Sequence, residues 1–272
     1  MKTKQKIALL IALLIIVIFI PVFAIFLPSI KASFNQATNK EFIKNVENNA
    51  LSANIKIVQL KYRNDGMSVS AGASGVIIRK EGNKYIALTA KHVISELDNV
   101  DKTQIVVMGY EDQDLKDYLK LGGKFAGSID YYYKQFPVST VEYTSVKYDL
   151  ALISFTSDKV YTVLSLAKDV PKYGDKVASM SNPYGKRNIV TAGRIGSKKI
   201  WNFEDEAGKT KYPITRHSAA SSAGSSGSAL LNEDLEIVGI NIGGGENIFR
   251  QFIFGIAMTN DRIHEFLKEW EN

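Results

Sequence analysis

The residues best placed to do chemistry lie together at Gly224-Ser225-Ser226-Gly227-Ser228-Ala229-Leu230, inside a serine- and glycine-rich stretch that begins at His217. Composition alone would make this a flexible loop. The residues C-terminal to it argue otherwise. Leu230-Leu231, a turn at Asn232-Glu233-Asp234 and the apolar run through Ile242 have the pattern of a strand, a turn and a second strand. A loop pinned between strands can hold one serine hydroxyl at a fixed place. A glycine two residues before that serine lets the backbone aim N–H groups at a common point, as stabilisation of an oxyanion requires. The chemistry in view is nucleophilic attack by a serine of this loop, with backbone N–H groups beside it to hold an oxyanion.

This kernel resembles the nucleophile loop of the chymotrypsin-like serine peptidases, Gly-x-Ser-Gly-Gly/Ser-Pro/Ala, and the resemblance implies Ser226 as nucleophile with Gly224, Ser225 and Ser226 framing the oxyanion hole. The resemblance implies a base and an orienting acid upstream, in the chain order His, Asp, Ser. Tyr85-Ile-Ala-Leu-Thr-Ala-Lys-His92 matches the family's strand-then-Thr-Ala-x-His signature, and Lys147-Tyr-Asp149-Leu-Ala-Leu-Ile-Ser-Phe155 its Asp-Leu-Ala-Leu strand. His92, Asp149 and Ser226 are therefore the expected catalytic set. The other histidines fit worse: His217 is too close in sequence to Ser226, and His264 lies downstream. Competing serine-hydrolase folds also fit worse. The α/β-hydrolase elbow needs Gly-x-Ser-x-Gly, and Ser228 stands at its last glycine. Neither its order nor that of the subtilisins is available with His92 as base. Met180-Ser-Asn-Pro-Tyr-Gly185 followed by Thr191-Ala-Gly-Arg-Ile195 further resembles a segment of the HtrA/Deg-type bacterial peptidases. Those usually continue into a PDZ domain, and none is expected before Asn272.

Composition narrows the alternatives. The 272 residues include no cysteine, which excludes disulfides, zinc thiolates and a thiol nucleophile. The formal net charge is +6, but Lys2, Lys4 and Lys6 supply half of it and no dense basic run occurs beyond them, so nucleic acid is not an expected partner. The triad chemistry needs no metal and no organic cofactor.

The elements that must position these residues read as an all-β protein: short strands, frequent turns and small helices. The resemblance implies two six-stranded Greek-key barrels, about 53–157 and about 158–258, with the site in the cleft between them. Glu111 to Pro137 reads as an insertion or long hairpin, with Tyr131-Tyr132-Tyr133 as a strand packed on the barrel. Asp205-Glu-Ala-Gly208 is expected to turn a hairpin. Ile263, Phe266, Leu267 and Trp270 share one face of a C-terminal helix over 259–271, with Thr259-Asn260 as its cap.

Ahead of the protease domain (53–272), residues 1–30 contain the run Ile7–Leu27, apolar throughout except for Pro21 and long enough to span a bilayer core. Lysines precede it, and no clean Ala-x-Ala cleavage site comes after it. This predicts a single-pass N-terminal transmembrane helix with the protease domain on the extracytoplasmic side, the alternative being a cleaved signal peptide. Residues 31–52 read as a polar stem, partly helical around Lys40 to Glu47.

Ala220, Ser221, Ser222, Asn241, Ile242 and Gly243 are the expected substrate-binding residues. Ala220 stands where trypsin-like enzymes carry the Asp that selects Lys or Arg, and Asn241 where glutamyl endopeptidases carry His. Both departures favour a small or medium apolar P1 side chain. Ser225 replaces the Asp that pairs with a newly cut N-terminus in trypsin-type zymogens, so that activation switch is not expected. Two functions are in play. One is a membrane-anchored serine endopeptidase, hydrolysing peptide bonds of exported or misfolded polypeptides. The other is a non-catalytic protein-binding module that keeps the fold. A homo-oligomer is left open by either.

Overall fold

The structure is a computed structural model, and it describes residues 23, 25–95, 100–124, 127–203 and 210–272. The greater part of the expected membrane span and the Asp205–Gly208 turn lie outside the described residues. No helix among the described residues is long and apolar enough to cross a membrane.

Two β units sit side by side. The second is the expected closed six-stranded barrel, in the order β10-β13-β12-β11-β8-β9. Its strands are β8 (Lys176–Ser181), β9 (Ile189–Phe203), β10 (Thr210–His217), β11 (Ala229–Leu231), β12 (Ile237–Glu246) and β13 (Phe252–Thr259). Val177, Ile195, Leu230, Val238 and Ala257 pack inside it.

The first unit departs from expectation. It is an open sheet of seven strands rather than a closed barrel of six. These are β1 (Asn54–Arg63), β2 (Gly66–Val69), β3 (Ala73–Glu81), β4 (Lys84–Ala90), β5 (Lys102–Met108), β6 (Thr140–Ser145) and β7 (Leu150–Thr156). The path runs β2-β1-β3-β4-β7-β6, with β5 also paired to β1. Where the ring would close there is only a bridge, Val106 opposite Val138. Val107 N–H reaches Pro137 O at 3.0 Å, and Ser139 N–H reaches Ile105 O at 2.8 Å. Pro137 has no N–H to extend that ladder, which cuts the closing contact short.

Two helices, not a strand, occupy the insertion: α3 (Leu115–Lys120) and α4 (Ser128–Gln135), after the helices α1 (Lys40–Asn49) and α2 (Lys91–Ile94). Tyr131 and Tyr132 are buried with Phe136 against Val58, Leu60, Val106 and Met108. That cover explains why β1 is buried on both faces.

The stem is not a free linker. Residues 25–38 are helical, and α1 inserts Phe42 and Val46 into a core shared with Leu88, Leu150, Met180, Ile240 and Met258. At the other end α5 (Asn260–Glu271) docks Ile263 and Phe266 on the same core. Thr259 precedes it but does not cap it through its side chain; its hydroxyl goes to the Asp261 carboxylate.

Candidate active site

Register brings His92 and Asp149 together. Strands β4 and β7 are antiparallel neighbours with Ala90 opposite Leu150. His92 lies two residues beyond one partner and Asp149 one residue before the other, so both emerge at the same end of the ladder. Asp149 ends a turn at φ 49°, a conformation a short polar side chain tolerates. Its carbonyl accepts from Lys91 N–H at 2.9 Å. Its carboxylate then receives two bonds from one residue: His92 Nδ1 at 2.7 Å and His92 N–H at 3.0 Å. Holding Nδ1–H against a carboxylate leaves Nε2 as the basic nitrogen. The His92 side chain is 47% exposed and that of Asp149 16%, so the pair faces an open cleft from a partly sheltered acid.

The second barrel delivers Ser226. Gly224 (φ 96°) and Gly227 (φ 85°) bracket it in left-handed backbone. Gly227 backs onto the end of β4: a Cβ there would stand 2.1 Å from Ser74 O, 2.2 Å from Thr89 Oγ1 and 3.1 Å from Ala90 N. The residue after Ser226 thus packs on the backbone at Ala90, two residues before His92. Among the described residues, the N–H groups of Gly224 and Ser226 donate to no protein acceptor. The Ser225 N–H, by contrast, is committed to Ser222 O at 2.8 Å. Ser225 therefore belongs to the segment that frames the hole without offering a free N–H of its own. It is buried, and its hydroxyl accepts from Ser222 N–H at 3.1 Å and donates to Ser181 Oγ at 3.3 Å.

Ser74, backed by Asn182, and Asn241, backed by His217, hold this loop, and the sequence did not single them out for it. Ser74 is the joint between the two units. Its N–H donates to Ser226 O at 2.9 Å and its hydroxyl to Gly224 O at 2.8 Å, while it accepts from Asn182 N–H at 2.9 Å. Asn182, fully buried, donates through Nδ2 to Ile55 O at 2.9 Å. Asn241 grips the loop from the other side. Its carbonyl accepts from Gly227 N–H at 2.7 Å, its N–H donates to Ser228 O at 2.9 Å, and Nδ2 donates to Ser225 O at 3.1 Å. That leaves Asn241 Oδ1 facing His217 Nε2 at 3.1 Å. His217 is a core histidine. Burial pushes its imidazole down to about 4, against a smaller upward pull from the Asn241 bond. The neutral Nε2–H tautomer is the one this contact needs. Nothing in the local sequence Gly72-Ala-Ser-Gly75 marks Ser74 for this role.

Beside Ser226 opens a pocket of about 360 Å³. Of the residues expected to bind substrate, Ser221, Ser222, Asn241 and Gly243 line it. Ala220 and Ile242 do not. The Ala220 carbonyl is bonded by Thr191 Oγ1 at 2.9 Å, and Ile242 is buried in the core. Ala223, Gly244, Gly245, Glu246 and Phe252 complete the wall. Glu246 reaches the wall because β12 runs on as far as this residue. It is exposed at the rim and accepts from Tyr184 Oη at 3.2 Å. Among the described residues, no group of three or more acidic or histidine side chains could hold a metal ion.

The family model of the trypsin-like peptidase domain matches residues 73–240, from Ser74 through the Ser226 loop. Similar proteins include the serine endoprotease DegS of Haemophilus influenzae, 29% identical over 76% of this chain and 53% of its own length. The Do-like serine protease HtrA of Lactococcus lactis is 26% identical over 65% of this chain and 38% of its own. A glutamyl endopeptidase of Staphylococcus aureus is 26% identical over 72% and 53% respectively. The chain spans about half, or less, of the length of these relatives. A family model that covers most of the chain, over a closed six-stranded barrel paired with an open β unit, shows that the protein belongs to the trypsin-like peptidase family.

Proposed function

We propose that the protein is a membrane-anchored serine endopeptidase that cleaves exported or misfolded polypeptides through an acyl-enzyme. The observation that carries this reading is the doubly bonded His92–Asp149 pair facing a serine loop whose Gly224 and Ser226 N–H groups are unspent. Ser226 Oγ attacks the scissile carbonyl while His92 Nε2 takes its proton. The imidazolium is held by Asp149, and the Gly224 and Ser226 N–H groups receive the oxyanion. Collapse of the tetrahedral species moves the proton from His92 to the leaving amine. Water then enters, His92 again acts as base, and the acyl group leaves as a carboxylic acid.

For P1 the reading remains a small or medium apolar side chain. Both polar ends of the Asn241 amide are occupied within the protein, so it offers little to a P1 carboxylate. Glu246 offers a carboxylate to a P1 cation only at an exposed rim, where an ion pair is worth about 0–1 kcal/mol. Neither outweighs the penalty, several kcal/mol, of desolvating a charged side chain. For the anchor, the support is the run Ile7–Leu27 with lysines before it.

The test is labelling with a fluorophosphonate, followed by peptide mass mapping. The adduct is expected on Ser226 and is expected to disappear in Ser226→Ala and His92→Ala. A folded wild-type protein that neither labels nor cleaves a peptide pool would sink the enzyme reading in favour of a binding module.

A further inference from the structure

We infer that the tip of the β12–β13 hairpin, Ile248-Phe249, seats in the surface of an anionic bilayer beside the N-terminal helix. The inference rests on the membrane-anchor reading and adds a second contact to it. It starts from exposure. Ile248 is 91% exposed and Phe249 53%, while Phe26 near the N-terminal end of the helix at 25–38 is 55% exposed. Large apolar side chains left in the open mark an interaction surface.

Depth comes next. Asn35 Nδ2 bonds Ser218 O at 3.3 Å, and Gln251 Nε2 bonds Ser29 Oγ at 3.0 Å. From Asn35 to Ser29 the helix rises about 9 Å toward its N-terminus. Over the same interval the protein side moves from Ser218, just past the His217–Gly255 pair, out along β13 to Gln251. Hairpin and helix thus run alongside each other in one direction. The tip at 248–249 continues that direction past Ser29, to the level where the apolar run Ile7–Leu27 ends. An anchored helix places the bilayer surface there.

Charge agrees. The first forty residues contain no Asp or Glu, Lys31 is exposed, and Arg250 is the one charged residue between Asn247 and Ile253. Basic residues flanking an apolar insertion fit an anionic headgroup layer. Between helix and hairpin lies a groove of about 780 Å³, with Ile30, Phe34, Phe252 and Ile253 among its walls. Phe252 also lines the pocket beside Ser226. A docked tip would therefore hold the substrate cleft close to the membrane, where it meets the juxtamembrane segments of other chains.

The chain has no cysteine, so one introduced thiol is a unique label site. The experiment places the full chain in vesicles containing about one third phosphatidylglycerol, with an environment-sensitive nitrobenzoxadiazole dye at Ile248→Cys or, as control, at Val160→Cys, which is 83% exposed on the other unit. Flotation first reports anchoring. The expected result is a blue-shifted dye at 248, shielded from iodide several-fold relative to 160. Vesicle-bound protein with equal iodide quenching at both sites overturns the docked tip and leaves the anchor standing. Protein that fails to float overturns the anchor and the docking with it.

Discussion

Gly227→Ala is the substitution whose cost can be worked most directly from the structure. The new Cβ meets two penalties. At φ 85° a side chain sits in left-handed backbone, which costs about 1–2 kcal/mol. It would also stand 2.1 Å from Ser74 O and 2.2 Å from Thr89 Oγ1, atoms themselves joined by a 2.7 Å hydrogen bond. Relief requires a shift of about 1 Å, and overpacking of this kind costs about 1–3 kcal/mol more. The matched control is Gly82→Ala: its φ is 63°, but nothing lies within 4 Å of the new Cβ. Subtracting the two variants isolates the collision, about 1–3 kcal/mol. Urea denaturation followed by fluorescence of the two tryptophans measures it. The functional consequence is larger, because the displaced segment carries Ser226. A misplacement of about 1 Å is worth roughly 10²-fold in rate. Fluorophosphonate labelling per folded molecule should therefore fall about that much in Gly227→Ala and stay at the wild-type level in Gly82→Ala. Stabilities within about 0.5 kcal/mol of each other, with equal labelling rates, would refute the packing of the loop on β4.

The same geometry carries three more expectations. Asp149→Asn should fold and lose about 10⁴-fold in turnover, since an amide cannot hold the required tautomer; activity within tenfold of wild type in a peptide assay would remove Asp149 from the mechanism. His217 titrates near 4 folded and near 6.5 unfolded, so between those values the unfolded state binds the extra proton and stability falls as pH drops. The loss should approach about 3 kcal/mol across that window and be absent in His217→Gln, which keeps an N–H for Asn241; equal urea midpoints for wild type at pH 7.5 and 4.5 would contradict it. Products from an unbiased peptide pool should end mainly in Ala, Val, Leu or similar residues by mass spectrometry. Dominant cleavage after Lys or Arg, abolished by Glu246→Gln, would show that the rim carboxylate governs the pocket instead.

The motifs were legible because the chemistry fixes residue types at fixed spacing within single strands and loops: Thr89-Ala-Lys-His92, Asp149-Leu-Ala-Leu152, Gly224-Ser-Ser-Gly227. What was not legible depends on partners distant in sequence. Ser74 is an ordinary serine until Asn182, Gly224 and Ser226 are folded against it. His217 and Asn241 find each other only once β10 and β12 flank β13. Tyr131-Tyr132 is equally consistent with a strand or a helix, and α3 and α4 are too short to declare themselves without the β1 face that they cover. The stem read as polar because most of it is; a few side chains, Phe42, Val46, Ala50 and Leu51, decide its docking. The open first unit is a matter of register, settled at Pro137, and no local pattern announces it.

That seam sets an order of events on heating. The second barrel is closed, and every strand in it is paired on both sides. The first unit is joined at its edge by a bridge and two backbone hydrogen bonds, so Ser139 N–H should exchange with solvent well before the β12 amides. Ser74 belongs to this looser unit, yet it holds the backbone of Ser226 in the tighter one. Opening at the seam would therefore slacken the nucleophile while the second barrel is still intact. Thermal inactivation should run ahead of the loss of circular dichroism, and it should reverse on cooling for as long as the barrel has not yielded.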